Sequence, residues 1–307
     1  MSLREFTSKE DIRRLVQIIT EEDDLGIDAA QNQIFLDATK VVLDDVWPET
    51  ASKMRFFCYP PEDPLYFFII DGNPLLCPVI YIRTPSNGHK LELIRQSFPL
   101  LLTELQSPLD ESGKFVLNAE KPVTDEVHSL LCSDSMPSHR VETSDILHFH
   151  VFYMNSEQEE NAKMIQVTLP HGYEFTKVDD GAESDRIHSL WHDNFLSPEI
   201  TRQRIRYLPY TAVRATDSGE IVAWEFTHNL GMLKYLHCQP DHRERGLGTA
   251  VEMQHAKAII QNGLRAVKYI RKNNTRVLNG SLRHPLWSIW KRDDSPVDWM
   301  NIVFSKN

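Results

Sequence analysis

Residues 242–252, "HRERGLGTAVE", bring two glycines and two arginines into one short turn. They follow a β-type run, "MLKYLHC", and precede a helix whose Leu247, Ala250, Val251, Ala258 and Ile259 form one apolar stripe. The spacing sets Gly246 and Gly248 between a strand and a helix N-terminus. The first N–H groups of a helix lack intrahelical partners and the helix dipole adds positive potential, so such a turn suits a phosphate. Glycine lets the anion reach the backbone, and Arg243 and Arg245 add charge-assisted hydrogen bonds. A plain charged loop before a helix is the competing reading. The third glycine of a dinucleotide-binding G-x-G-x-x-G is Val251 here, and too few βα steps follow for a doubly wound sheet. No G-K-[ST] follows, so the turn is not a Walker loop.

Charge is unevenly spread. The 307-residue chain carries −11, yet no Asp or Glu occurs from Met253 through Arg292, where nine Lys and Arg side chains lie. A specific anionic ligand and a solvated face neutralised by acids elsewhere both fit that pattern. The net charge argues against general nucleic-acid binding; an RNA-binding cationic stretch would interleave aromatics, and "KYIRKNNTR" offers one Tyr. His148 and His150 share a strand face at metal-binding spacing, but no nearby Asp or Cys completes a set, so no metal is expected. Cys238 could carry an acyl group, although no base partner is evident. Four scattered cysteines without a C-x-x-C pair point to a reducing compartment. The first residues form no apolar signal core, and "LYFFII" is too short to span a bilayer, so a cytoplasmic chain without membrane contact is expected.

Helices that must position these residues are expected at 10–19, 27–46, 89–105 and 123–131, with strands at "MRFFCY", "LYFFIID", "PVIYIRT", "KFVLN" and "ILHFHVFYM". The polar stretch "NSEQEENAKM" (155–164) lacks a period and divides the chain into domains of residues 1–160 and 161–307. Beyond it follow a strand at 173–178, a helix over "AESDRIHSLWHDNFL" and a second opened by Pro198. Strands come next at 211–215, 220–228 and 232–238, then a helix over 246–262 stopped by Gly263. The strand "AVKYI", a short helix after Asn274 and strands at 286–291 and 298–304 complete an α+β (mixed α/β) order, a mixed sheet with helices on both faces. Tryptophans 191, 224, 287, 290 and 299 read as packing residues.

In that context Arg243-x-x-Gly246-x-Gly248 resembles the acyl-CoA-binding signature of the GNAT acyltransferase superfamily. "LWHDNF", "GEIVAWEF", "PDHRERGL", "KYIRKNN", "VDWMN" and, in the first half, "VWP" are similar to the glycine N-acyltransferase family. The resemblance covers the whole chain and is strongest over 185–307. It implies two GNAT-like halves, each a twisted mixed sheet flanked by helices, with the C-terminal half binding the cofactor. It implies an acyl-CoA-dependent N-acyltransferase, acetyl-CoA or a longer acyl-CoA as co-substrate, and a small amine such as an amino acid as partner, in a monomer or homodimer. By resemblance alone, the mitochondrial matrix is the alternative compartment.

The resemblance also assigns residues. The pyrophosphate would lie on Arg243, Arg245, Gly246, Leu247, Gly248 and Thr249, and the pantetheine arm along Leu236, His237 and Cys238. Asn273 or Asn274 would approach the arm from the other side; helix capping is an equally natural role for asparagine here. Many GNAT enzymes carry an acid Tyr seven residues after the asparagine, where this chain has Ser281, a poor acid. The glycine N-acyltransferases have a Glu directly after the hairpin glycine, where this chain has Met232 after Gly231. A thioether takes no proton, so another base must serve. A two-residue hairpin loop puts Glu225 on the face of Met232, and a three-residue loop puts His228 opposite Met232. Both remain candidates. The missing Glu also admits an acyl-CoA-binding or regulatory protein without catalysis.

Overall fold

The computed structural model describes residues 2–22, 28–47, 53–105, 113–132, 139–142, 145–190 and 197–306. The first half runs β1 (Arg4–Phe6), α1 (Lys9–Glu22), α2 (Ala29–Leu43), β2 (Met54–Tyr59), β3 (Tyr66–Asp71), β4 (Val79–Arg83), α3 (Leu91–Glu104), β5 (Phe115–Glu120), α4 (Lys121–Leu131), β6 (His139–Arg140), β7 (Ile146–Tyr153) and α5 (Ser156–Met164). The second runs β8 (Tyr173–Thr176), α6 (Ala182–Ser189), α7 (Pro198–Tyr207), β9 (Tyr210–Ala215), β10 (Ile221–Thr227), β11 (Leu233–Cys238), α8 (Leu247–Gln261), β12 (Val267–Arg271), α9 (Thr275–Arg283), β13 (Ser288–Ile289), β14 (Lys291–Arg292), β15 (Ser295–Pro296) and β16 (Trp299–Lys306). Most of "LWHDNF", and Pro48 of "VWP", lie outside the described residues.

Among the described residues, one mixed sheet of 14 strands runs through both halves, in the order β1-β2-β3-β4-β5-β16-β7-β12-β11-β10-β9-β8, with β6 and β13 at its margins. The terminal strands cross over. β16 lies between β5 and β7, with Trp299 opposite both Glu120 and Phe149. β7 in turn closes β12, with Tyr153 opposite Val267. Each half thus covers an otherwise open sheet edge of the other. Helices α1 and α2 lie over the junction. Their Leu15, Ile19, Ile34 and Phe35 share one buried cluster with Val151, Met232, Val267, Trp290 and Trp299. Trp224 and Trp287 are buried elsewhere in the core, while Trp191 lies outside the described residues.

The stretch "NSEQEENAKM", aperiodic in sequence, is a helix. Its start signal is local: the Asn155 side chain accepts from the Gln158 N–H and the Gln158 side chain accepts from the Asn155 N–H, both at 2.9 Å, forming a capping box. Only Glu159 and Ala162 of α5 are buried. Glu159 accepts from the Ala266 N–H at 3.2 Å and pairs with Arg265, so polar contacts replace the apolar stripe that a periodicity search requires.

The acid-free stretch 253–292 is not a bare positive surface. Arg265, Lys268, Lys272, Arg276 and Arg292 each pair with an acid, respectively Glu159, Glu252, Asp298, Glu244 and Asp28. These five of its nine cations are paired by acids outside the stretch, so the cationic run alone carries no inference about an anionic ligand.

Candidate active site

The glycine turn sits between β11 and α8. Gly246 caps the helix in the left-handed region (φ +79°), and no side chain caps the first turn. A Cβ added at Gly246 or Gly248 would meet nothing within 4 Å, so the space over the helix N-terminus is open. Arg243 is anchored through Nε to the Cys238 carbonyl at 2.9 Å, and Arg245 through Nη1 to the Tyr173 hydroxyl at 2.8 Å. No carboxylate pairs with either arginine among the described residues. An open cradle, free first-turn N–H groups and two uncompensated guanidinium groups fit a pyrophosphate. The turn at the same place in the first half, between β4 and α3, is differently filled: Arg292 donates to the carbonyls of Pro85 and Ser86, both at 3.1 Å.

Below the glycine turn the sheet opens. The β10–β11 loop has three residues, Asn229 to Gly231: the His228 N–H donates to the Met232 carbonyl at 2.7 Å, and the Gly231 N–H to the His228 carbonyl at 2.8 Å. Gly231 supplies the left-handed residue this loop requires (φ +91°). Further along, Phe226 opposes Lys234 but Trp224 opposes His237, so Tyr235 and Leu236 together face Glu225 in a bulge, with Tyr235 at φ +66°. β11 and the parallel β12 are paired at one register alone, Leu233 with Lys268. Beyond it the strands diverge into a wedge whose mouth faces the glycine turn.

A cavity of about 530 Å³ occupies this wedge. Tyr235, Leu236, Tyr269, Ile270 and Asn274 form its sides. Leu147, Phe149 and Asn301 come from the crossed-over strands β7 and β16, so the cavity draws on both halves of the chain. Towards α6 and α7 it is lined by His188, Thr201 and Arg204. Arg204 is 4% exposed; its Nη2 donates to the Tyr235 hydroxyl at 2.9 Å, while its Nε has no partner among the described residues.

The cavity is also lined by Glu225, Glu252 and Lys268. Lys268 donates to Glu252 Oε1 at 2.7 Å and to Ser281 Oγ at 2.8 Å, and Trp287 Nε1 donates to the same Glu252 oxygen at 2.9 Å. Glu225 is 3% exposed and its Oε2 has no partner among the described residues. Burial, then the Glu252 charge, hold the Glu225 carboxyl well above the usual range, with Lys268 pulling the other way. Burial pushes the Lys268 ammonium below the usual lysine range, against Glu252.

The other sequence candidates fall in distinct places. Asn274 lines the cavity and caps α9, its side chain accepting from the Val277 N–H at 3.4 Å. Asn273 is exposed in the preceding turn. His237 stacks on Trp224 with ring centres 4.6 Å apart. Burial raises the Cys238 thiol, the wrong direction for a nucleophilic thiolate. Ser281 is buried behind Lys268. His228 sits opposite Met232 as the three-residue loop requires, but it is buried against Tyr81 and Tyr235, accepts from the Leu230 N–H, and is held neutral by burial. Met232 itself is buried in the cluster under α1 and α2. His148 pairs with Asp298 at 3.0 Å. Among the described residues no group of three or more His, Cys, Asp or Glu could hold a metal, and no helix is long and apolar enough to cross a membrane. Lys268, Glu252 and Arg204 escaped the sequence reading. A lone lysine inside the apolar strand "AVKYI" was the available signal for the first.

A family model described as FR47-like protein matches residues 211–279, the segment from β9 into α9. No curated protein matches the chain significantly. Among solved structures, a Drosophila protein superposes with a TM-score of 0.73 at 15% identity, covering 98% of each chain. A tandem GNAT protein from the clavulanic acid biosynthesis pathway gives 0.56 at 10% identity, over 99% of this chain and 98% of that one. A GCN5-related N-acetyltransferase from Sphaerobacter thermophilus gives 0.53 at 10%, over 99% and 95%. The fold is that of a tandem GNAT protein. Within the tandem GNAT fold, the glycine turn, the wedge and the Glu225 cluster all belong to the second half.

Proposed function

We propose that this chain is an acyl-CoA-dependent N-acyltransferase of glycine N-acyltransferase type, moving an acetyl or longer acyl group to a small amine such as an amino acid. One observation carries the proposal: a wedge between β11 and β12 leads from an open glycine turn to a buried carboxyl that has an unpartnered oxygen. Arg243, Arg245 and the first N–H groups of α8 would hold the pyrophosphate, and Leu236 to Cys238 the pantetheine arm. Glu225 takes the proton from the acceptor nitrogen as that nitrogen attacks the thioester carbonyl. A carboxyl raised by burial is matched to that task, because its ionised form is a stronger base than a solvated one. Arg204, with Nε unpaired at the acceptor end, supports an acceptor bearing a carboxylate.

Thermal denaturation with CoA, acetyl-CoA and longer acyl-CoAs tests the binding. A ligand at 100 times its Kd stabilises the folded state by about 2.7 kcal/mol. No shift with any CoA overturns the proposal. If CoA binds, release of free thiol on adding glycine or other amines separates an enzyme from a non-catalytic acyl-CoA binder.

A further inference from the structure

Lys268 lies where the wedge closes, since Leu233 and Lys268 form the last register before β11 and β12 part. An arm entering from the glycine turn ends there. Resting on the function proposed above, we infer that the Lys268 ammonium contacts the sulfur of bound CoA and protonates it as it leaves. The alternative donor at this end, Ser281, is covered by Lys268, whose Nζ holds its hydroxyl oxygen. Lys268 lines the cavity. Its charged and titratable neighbours are Glu225 from β10, Glu252 from α8 and His284 after α9, with the Trp287 ring 4.1 Å from Nζ. Burial lowers the ammonium's hold on its proton, which suits an acid that works near neutrality.

The step balances. The new C–N bond forms as the acceptor nitrogen gives one proton to the Glu225 carboxylate. The C–S bond breaks with its electron pair on sulfur, which takes a proton from Nζ and leaves as the thiol. The Glu225 carboxylic acid then returns its proton to the neutral Lys268 amine, and both groups are reset.

Binding of CoA and of desulfo-CoA, which lacks the sulfur, tests this by calorimetry at pH 7 on wild type, Lys268→Met and Lys268→Arg, beside kcat for thiol release. Wild type is expected to prefer CoA by about tenfold, as for a hydrogen bond to a charged group. Lys268→Met loses that preference and about 100-fold in kcat. Lys268→Arg keeps a cation beside Glu252 should the Met variant fail to fold; it is expected to keep the preference yet lose kcat, because arginine does not give up its proton. CoA and desulfo-CoA bound equally by wild type, or an undiminished kcat in Lys268→Arg, overturns the inference while leaving the enzyme intact. Absence of any CoA binding overturns both.

Discussion

Replacing Gly248 by alanine separates the stability of the fold from the use of the turn. Gly248 is the second residue of α8, its backbone is not in the left-handed region, and an added Cβ meets no atom within 4 Å. The methyl group therefore costs the ligand-free protein nothing in packing, and restricting the unfolded chain stabilises it by about 0.4–1 kcal/mol. A pyrophosphate on the α8 N–H groups must approach through the same space. Displacing one charge-assisted hydrogen bond costs about 1.5–3 kcal/mol, or roughly tenfold or more in affinity. At a CoA concentration 100 times the wild-type Kd, ligand stabilisation then falls from about 2.7 to about 1.4 kcal/mol or less. Thermal unfolding with and without CoA reads both effects at once. Gly280→Ala, in the exposed part of α9 with equal free space, is the control; it should keep the full CoA shift. A Gly248→Ala protein that retains the full shift would refute the placement of the pyrophosphate.

Three further outcomes follow from single positions. Glu225→Gln should lower kcat by about 10²–10⁴-fold and remove the rise of rate with pH, which in the wild type extends above the usual carboxylate range because burial raises Glu225; an unchanged pH–rate profile counts against Glu225. Asp71 is buried with its pKa pushed up from 3.8 to about 6, so its stabilising effect is full below about 3.8 and is lost as pH rises through 6. The stability advantage of Asp71→Asn over wild type should therefore grow by about 2 kcal/mol from pH 4 to pH 7, read by urea unfolding; Asn229, which donates to Asp71 and whose Oδ1 has no partner among the described residues, can turn its amide to suit. Gly231→Ala forces a side chain into the left-handed region and brings its Cβ within 2.6 Å of Asp37 Cβ, so unfolding should become easier by about 1–3 kcal/mol; equal stability would mean that the hairpin and α2 are less closely docked.

The elements of this chain and its glycine turn announce themselves locally, and the rest of the site does not. Gly263 ends α8, Pro198 opens α7 and the phenylalanines of "YFFIID" form a buried strand, each through backbone preferences or burial patterns spanning a few residues. Periodicity failed at 155–164 because α5 buries one carboxylate and one alanine rather than a stripe, although the N-x-x-Q box was there to be read. Strand exchange leaves no local trace: β7 and β16 show the same strand character whichever half they complete, and only their pairing across some 150 residues brings Phe149 and Asn301 to one cavity. The hairpin turns on the same limit. Its three-residue loop sets His228 against Met232, but the bulge at Tyr235 then places two residues opposite Glu225, and no local pattern fixes where that extra residue falls. A methionine at position 232 therefore decides nothing about catalysis. Met232 faces an apolar core under α1 and α2, where a charge would be costly, while Glu225 reaches the wedge from the neighbouring strand with Lys268 and Glu252 beside it.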